Sequence, residues 1–267
     1  MKVAVIQLRV ENEIEKNIAK AMAAVRRAIA QRATFILLPE LFIFSGVVRE
    51  KAVSEIAEDI YGATTKIFSA MARRYKAYIL LGSILEKIKK KSKVYNTSIL
   101  LDDHGCVAGI YRKKHLFKAV IKKKNIDESR YFLSGQHQVM SKVKEFRVGL
   151  STCFDVRFPR MYQDYKNKKA DILCIPSAFT RETGLAHWEV LLRARAIEGL
   201  CYVLAPNQVG CDGQGILRYG HSMIIDPWGK ILARASDRQE DIIYADLHKK
   251  NIIKKRRILF SVMTKDS

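Results

Sequence analysis

The chain has 267 residues, 48% hydrophobic and 28% charged, with 14 Gly, 5 Pro and no low-complexity linker, which fits one globular domain over residues 1–267 and excludes a disordered or repetitive chain. No apolar run reaches the roughly 18 residues that cross a bilayer, MKVAVIQLRV lacks the h-region of a signal peptide, and five scattered cysteines without a CxxC pair point to a reduced, cytoplasmic compartment with no membrane and no metal site. The net charge of +21 would attract polyanions, but the lysines of KIKKKSK (87–93), KKK (122–124), KNKK (166–169) and KKNIIKKRR (249–257) read as turns, helix ends and a tail, so the expectation is a solvated basic surface rather than a nucleic-acid site.

KVAVIQL (2–8) is rich in β-branched residues and predicts a buried strand. Asn12 offers a helix N-cap, with Glu15 three residues on as its capping-box partner. Ile14, Ile18, Met22, Val25 and Ile29 follow as the stripe of an amphipathic helix. FILLPE (35–40) predicts a second strand, cut off by Pro39. A helix is expected over about 54–75, then a strand at YILLGS (78–83) and a hairpin at VYNTSILL–DDHG–CVAGIYRK (94–113).

The rhythm repeats in the second half. FRVGLSTC (146–153) predicts a strand, and Pro159 suits the first turn of a helix. ADILCIPSA (170–178) predicts a strand, HWEVLLRARAIEGL (187–200) a helix and CYVLAPNQ (201–208) a strand. HSMIIDPWGKILARA (221–235) reads as a hairpin and DIIYADL (241–247) as the last strand. Strands alternating with helices give an α/β sandwich whose strand order stays open.

Four segments place a reactive residue at the end of a buried strand or in the loop beyond it, where α/β proteins build their sites. They are LLPELF (37–42) with Glu40, YRKKHLF (111–117) with Lys114, NIDES (125–129) with Glu128, and STCFDVRFP (151–159) with Cys153. Each has a plain alternative: a solvated acid, a surface lysine, a polar loop, a small core cysteine.

Together, PE, then Y-x-K-x-H-L-F, then E-S, then C-[FY]-D-x-R-F-P resemble the carbon–nitrogen hydrolases of the nitrilase superfamily. The resemblance extends to PSAFTRETGLAHWEVLLRARAIEGLCYVLAPNQVG (176–210) and YGHSMIIDPWG (219–229), which look like its Nit branch, home of ω-amidase and deaminated-glutathione amidase. It implies a four-layer α-β-β-α sandwich, a homodimer or higher homo-oligomer, and no cofactor. It also implies hydrolysis of a small linear carboxamide through a thioester.

On that resemblance Cys153 is the nucleophile and Glu40 the general base that takes the thiol proton. Lys114 matches the family lysine, which stabilises the oxyanion together with the N–H of Phe154, donors of this kind supplying roughly 3–4 kcal/mol each. Glu128 matches a second glutamate that orients the lysine or assists water. Arg157 and Thr183 match residues associated with a substrate carboxylate, and the substrate is expected to be an α-keto acid amide or deaminated glutathione. A salt bridge with Asp155 or a nearby acid is the plain alternative for Arg157. His187 and Trp188 are expected to shape the pocket wall, with Leu191, Leu192 and Ile197 in the core. Arg160 departs from the pattern, where relatives often carry an acid. Two competing readings are another hydrolase of the superfamily, acting on a nitrile, N-carbamoyl group or aliphatic amide, and a catalytically silent basic protein that binds nucleic acid.

Overall fold

Alternation within the apolar runs sets the layers. In a strand, successive side chains point to opposite faces. The computed structural model describes residues 1–45, 50–121, 124–213 and 215–263. The first half contains β1 (Lys2–Gln7), α1 (Ile14–Ala30), β2 (Phe35–Leu37), α2 (Glu50–Ile56), α3 (Ala63–Tyr75), β3 (Tyr78–Glu86), β4 (Tyr95–Leu101) and β5 (Val107–Arg112). Next come β6 (Lys118–Ile121), β7 (Lys124–Asp127), β8 (Val139–Val143), β9 (Phe146–Leu150), α4 (Pro159–Asn167), β10 (Ile172–Cys174) and α5 (Arg181–Gly199). The chain continues through β11 (Tyr202–Ala205), β12 (Val209–Cys211), β13 (Leu217–Tyr219), β14 (Met223–Ile225), β15 (Ile231–Arg234), β16 (Asp241–Asp246) and α6 (Lys249–Met263).

Two six-stranded sheets form, ordered β16-β1-β2-β3-β4-β5 and β15-β14-β11-β10-β9-β8. Val3, Val5, Phe35 and Leu37 face the second sheet, packing with Val148, Leu150 and Ile172. Ala4, Ile6 and Ile36 face the other way, against Ala24, Val25 and Ala28 of α1 and Phe68 and Met71 of α3. On the far side of the second sheet lie Tyr162 and Tyr165 of α4 and Trp188 and Leu192 of α5. This is the expected α-β-β-α sandwich. The parallel sets β1-β2-β3 and β9-β10-β11 put their C-terminal ends, and the loops after them, at one edge of the two sheets.

Several local expectations change. Asn12 does not cap α1: Glu13 holds the cap position without a side-chain bond. Asn17 ties the entry instead, bonding Glu11 N and O and Ile43 O from a buried site. The buried strip of α1 is mostly alanine, with Ile18, Met22 and Ile29 flanking it. The expected 54–75 helix is broken between Ile56 and Ala63, where Glu58 accepts from Thr64 N and Gly62 starts the second piece. α5 begins six residues before His187, because Thr180 caps it by accepting from Thr183 N. Ile197 is 46% exposed and not core. The hairpins β6–β7 and β12–β13 and the helix α6 carry no strong period and went unmarked in the sequence.

Candidate active site

Glu40 sits just beyond β2. Pro39 ends the strand, and Leu41 turns the chain with φ 47°, its N–H held by Ser83 Oγ at 2.8 Å. Gly82 permits this turn: a Cβ there would stand 2.0 Å from Leu38 O. Glu40 is thereby buried, at 2% exposure. Its Oε1 accepts from Asn96 Nδ2 at 2.9 Å and Lys113 Nζ at 2.8 Å, and its Oε2 from Ala178 N at 2.9 Å.

The lysine beside it is Lys113, not Lys114. Tyr111 and Lys113 share one face at the end of β5 and are 0% and 1% exposed. Arg112 points the other way, bonded to Glu86 at 2.6 and 2.7 Å. Lys114 falls on that outward parity and is only partly buried; its backbone N–H donates to Tyr111 Oη at 3.2 Å. Lys113 Nζ also reaches Glu128 Oε1 at 2.9 Å and Oε2 at 2.8 Å. Burial alone would pull its pKa down. The charges of Glu128 and Glu40 outweigh that and hold it well above the ordinary lysine value, so Lys113 is an ammonium. The Y-x-K-x-H spacing, counted from Tyr111, already lands on Lys113.

Glu128 opens a 3-10 turn after β7, and Phe117 N donates to its Oε2 at 2.7 Å. Burial pushes the pKa of Glu128 up, opposed by Lys113 and reinforced by Glu40.

Cys153 starts the 3-10 turn Cys153–Arg157 after β9, with φ 47°, a left-handed conformation costly for a side chain with a Cβ. Its N–H donates to Pro176 O at 2.9 Å. Asp155 fastens this turn to the lysine strand. Fully buried, it accepts from Tyr111 Oη at 2.6 Å and Thr152 N at 2.8 Å through one oxygen. Its other oxygen lies 3.0 Å from His115 N and 2.7 Å from His115 Nδ1, and His115 stacks on Phe158. Asp155 therefore has no bond to Arg157. Burial drives the thiol pKa of Cys153 far up, Glu40 adds to this and Lys113 opposes it, so the resting sulfur is a thiol.

Glu40, Glu128, Cys153, Phe154, Arg157 and Thr183 all line one cavity of about 430 Å³. Arg157 lies over Phe154 and Phe179, 5.7 and 5.3 Å from their centroids, and its Nη1 is 3.1 Å from His187 Nδ1. Burial lowers its pKa, and among the described residues no carboxylate pairs with it. Thr183 Oγ1 lies 2.9 Å from Thr180 Oγ1. Trp188 is in the core, its Nε1 donating to His221 O, and neither it nor His187 lines the cavity. Sequence reasoning missed Asn96, Ala178 and Arg218, which bonds Ala178 O and Asp212 at the cavity edge. Asn96 opens a polar run, Asn96–Thr97–Ser98, inside the buried strand β4, and that run is the signal that could have flagged it. Among the described residues one close group of potential metal ligands occurs, Asp102, Asp103 and His104 in the β4–β5 turn, away from this cavity; Asp102 there caps its own turn.

Residues 2–257 match the carbon–nitrogen hydrolase family. The chain belongs to that family. It is an enzyme of the nitrilase superfamily with the architecture of the Nit branch. It is 36% identical over 248 residues to deaminated glutathione amidase of Dictyostelium discoideum, covering 90% of this chain and 85% of that one. It is 33% identical over 257 residues to omega-amidase NIT2 of Homo sapiens, covering 96% and 91%. Among solved structures, the C. elegans NitFhit protein superposes with TM-score 0.89 at 34% identity over 97% of this chain, which spans 64% of that longer one. Saccharomyces cerevisiae Nit3, a member of branch 10 of the nitrilase superfamily, superposes with TM-score 0.85 at 30% identity, covering 97% and 93%. No helix among the described residues of this hydrolase is long and apolar enough to cross a membrane.

Proposed function

We propose that this hydrolase cleaves a linear carboxamide bearing a carboxylate, with Cys153 as nucleophile, Glu40 as general base, Lys113 as the oxyanion's cation and Glu128 as the residue that positions it. The observation that carries the reading is the buried Lys113 ammonium, bonded to both glutamates in the cavity that holds the Cys153 thiol.

A resting thiol cannot attack as a thiolate. The S–H proton passes to Glu40 as Sγ bonds to the amide carbon, so charge moves onto the carbonyl oxygen without leaving a free thiolate in an apolar site. That oxygen is met by Lys113 Nζ and by the N–H of Phe154, which lies in the first turn of its 3-10 helix and lacks an intrahelical acceptor. Glu40 returns the proton to the departing nitrogen, and the C–N bond breaks to leave a thioester. Water then loses a proton to Glu40, attacks the thioester carbon, and the acid leaves as the thiol regains its proton. Ala178 N and Asn96 hold Glu40 throughout.

The cation of Arg157, half-buried over two aromatic rings and without an acid partner among the described residues, suits the substrate carboxylate, with the Thr183 hydroxyl beside the same cavity. Relatives named for deaminated glutathione and for ω-amides support an α-keto acid amide of this kind. Val190 and Ile197, an i, i+7 pair on one stripe of α5 and exposed at 68% and 46%, suit a contact with a second copy of the chain.

The test is mass spectrometry of the protein mixed with a panel of carboxylate-bearing amides, neutral amides, nitriles and N-carbamoyl amino acids. An acyl mass on the Cys153 peptide with carboxylate-bearing amides is expected. Turnover of nitriles alone, or an adduct on another cysteine, defeats the reading.

A further inference from the structure

Three segments scattered in sequence hold a large share of the protein's charge. Residues 142–147 (KVKEFR), 166–171 (KNKKAD) and 249–257 (KKNIIKKRR) carry twelve basic side chains against two acids, close to half of the net +21. The fold brings them onto one face. Lys249 Nζ donates to Glu145 O at 2.9 Å in the β8–β9 turn and to Asp171 before β10. Arg256 reaches Asp171 and Ala170 O, and Arg147 reaches Lys168 O at 3.4 Å. Asp171 is fully buried and consumed by these contacts, so it neutralises nothing outside.

Lys142, Lys144, Arg147, Lys168, Lys169, Lys250, Lys254 and Arg257 are exposed, and among the described residues none has an acidic partner. Lys250, Lys254 and Arg257 are spaced i, i+4, i+7, one stripe of α6. Lys142 lies directly opposite Arg147 in the β8–β9 pairing, a like-charge pair that destabilises a sheet unless an anion screens it.

We propose that this face binds the sugar-phosphate backbone of nucleic acid, without sequence preference and apart from the catalytic cavity. None of its residues lines that cavity. From Lys249 to Arg257 the helix rises about 12 Å, room for roughly three or four phosphates of one strand. The exposed side chains of the 142–147 and 166–169 segments are polar throughout, which suits a phosphate backbone; α6 beside them exposes Ile253 at 45%, Ile258 at 44% and Leu259 at 37%, apolar surface that the vesicle arm of the test addresses. The 142–147 and 166–169 segments expose no aromatic side chain, and Trp228 beside α6 is covered by Lys255, whose Nζ lies 4.3 Å from its ring centroid, hence the absence of base readout.

The test measures fluorescence anisotropy of a labelled 30-nucleotide RNA and a duplex DNA of the same length at 50 and 200 mM KCl. Wild-type binding should weaken by roughly 10³-fold between the two salts if about six phosphates are contacted. Lys168→Glu/Lys169→Glu/Lys250→Glu/Lys254→Glu should lose at least about 10²-fold at 50 mM while amide hydrolysis is unchanged. Lys87→Glu/Lys89→Glu/Lys90→Glu/Lys91→Glu removes the same charge from another surface and should keep binding. If the first variant fails to fold, acetylation footprinting of the wild type should show Lys168, Lys169, Lys250 and Lys254 protected by RNA. No salt-dependent binding by the wild type, equal losses in both variants, unprotected lysines, or capture by phosphatidylserine vesicles but not by nucleic acid would each overturn the proposal.

Discussion

Replacing Lys113 by Met removes the ammonium and keeps the apolar stem. Glu40 and Glu128, both within 2.9 Å of Nζ, then face each other buried and without a countercharge. Breaking a buried ion pair from one side costs about 3–5 kcal/mol, which for a chain of this size lowers Tm by roughly 6–20 °C. The pH dependence follows from Glu128, whose pKa burial already pushes above the usual glutamate value. Without Lys113 it rises further, so the folded state binds a proton that the unfolded state has released. Stability then declines as pH climbs above the unfolded glutamate value near 4.5. The Tm deficit should therefore be larger at pH 8 than at pH 5. Turnover should fall at least about 10²–10³-fold through loss of the oxyanion donor. Lys114→Met, one residue on, should keep turnover within about twofold, since an outward surface change of this kind moves stability by only about 0.5 kcal/mol. Calorimetry across pH and ammonia release measure both. An inactive Lys114→Met beside an active Lys113→Met would refute the assignment.

Other outcomes follow from the same geometry. Cys153→Ala should abolish turnover with the fold retained, whereas Cys201→Ala, just before β11 and away from the cavity, should leave turnover intact; peptide mapping and calorimetry report both. Alkylation of Cys153 by iodoacetamide should keep rising through pH 9 without a plateau, because burial holds its thiol above that range. Global stability should also fall above about pH 9. Buried Cys174, Cys201, Tyr111 and Tyr162 all have raised values, so their protonated forms are favoured only in the folded state and the unfolded chain ionises first. A flat Tm from pH 8 to 10.5 would contradict this. Asp155→Ala leaves two buried donors, Tyr111 Oη and Thr152 N, and the partly buried His115 N–H without their acceptor and should cost at least about 3 kcal/mol, read as a lowered urea midpoint together with a loss of kcat. Arg160→Glu should raise Tm by about 1–3 °C, since it puts an anion in place of a cation in the first turn of α4.

The primary structure determined the layers and most of the chemistry. Runs such as KVAVIQL and ADILCIPSA become strands because β-branched and apolar side chains fit a sheet covered on both faces. Glu40, Glu128 and Cys153 could be named because their segments together resemble the motifs of the carbon–nitrogen hydrolases; a strand end or a polar loop alone left each with a plain alternative. Lys113 and Lys114 have the same propensity and charge; only the Y-x-K-x-H spacing separates them in the sequence, and the pairing of β5 with β4 turns Lys113 inward with Tyr111 and Lys114 outward. The roles of Asn96, Ala178 and Asp155 depend on atoms brought together from up to 138 positions apart, through hydrogen bonds that no local pattern encodes. The same holds for the basic face: its lysines read as separate turns and a tail until the packing of α6 against the β8–β9 and α4–β10 turns sums their fields, because electrostatic potential follows distance in space and not along the chain.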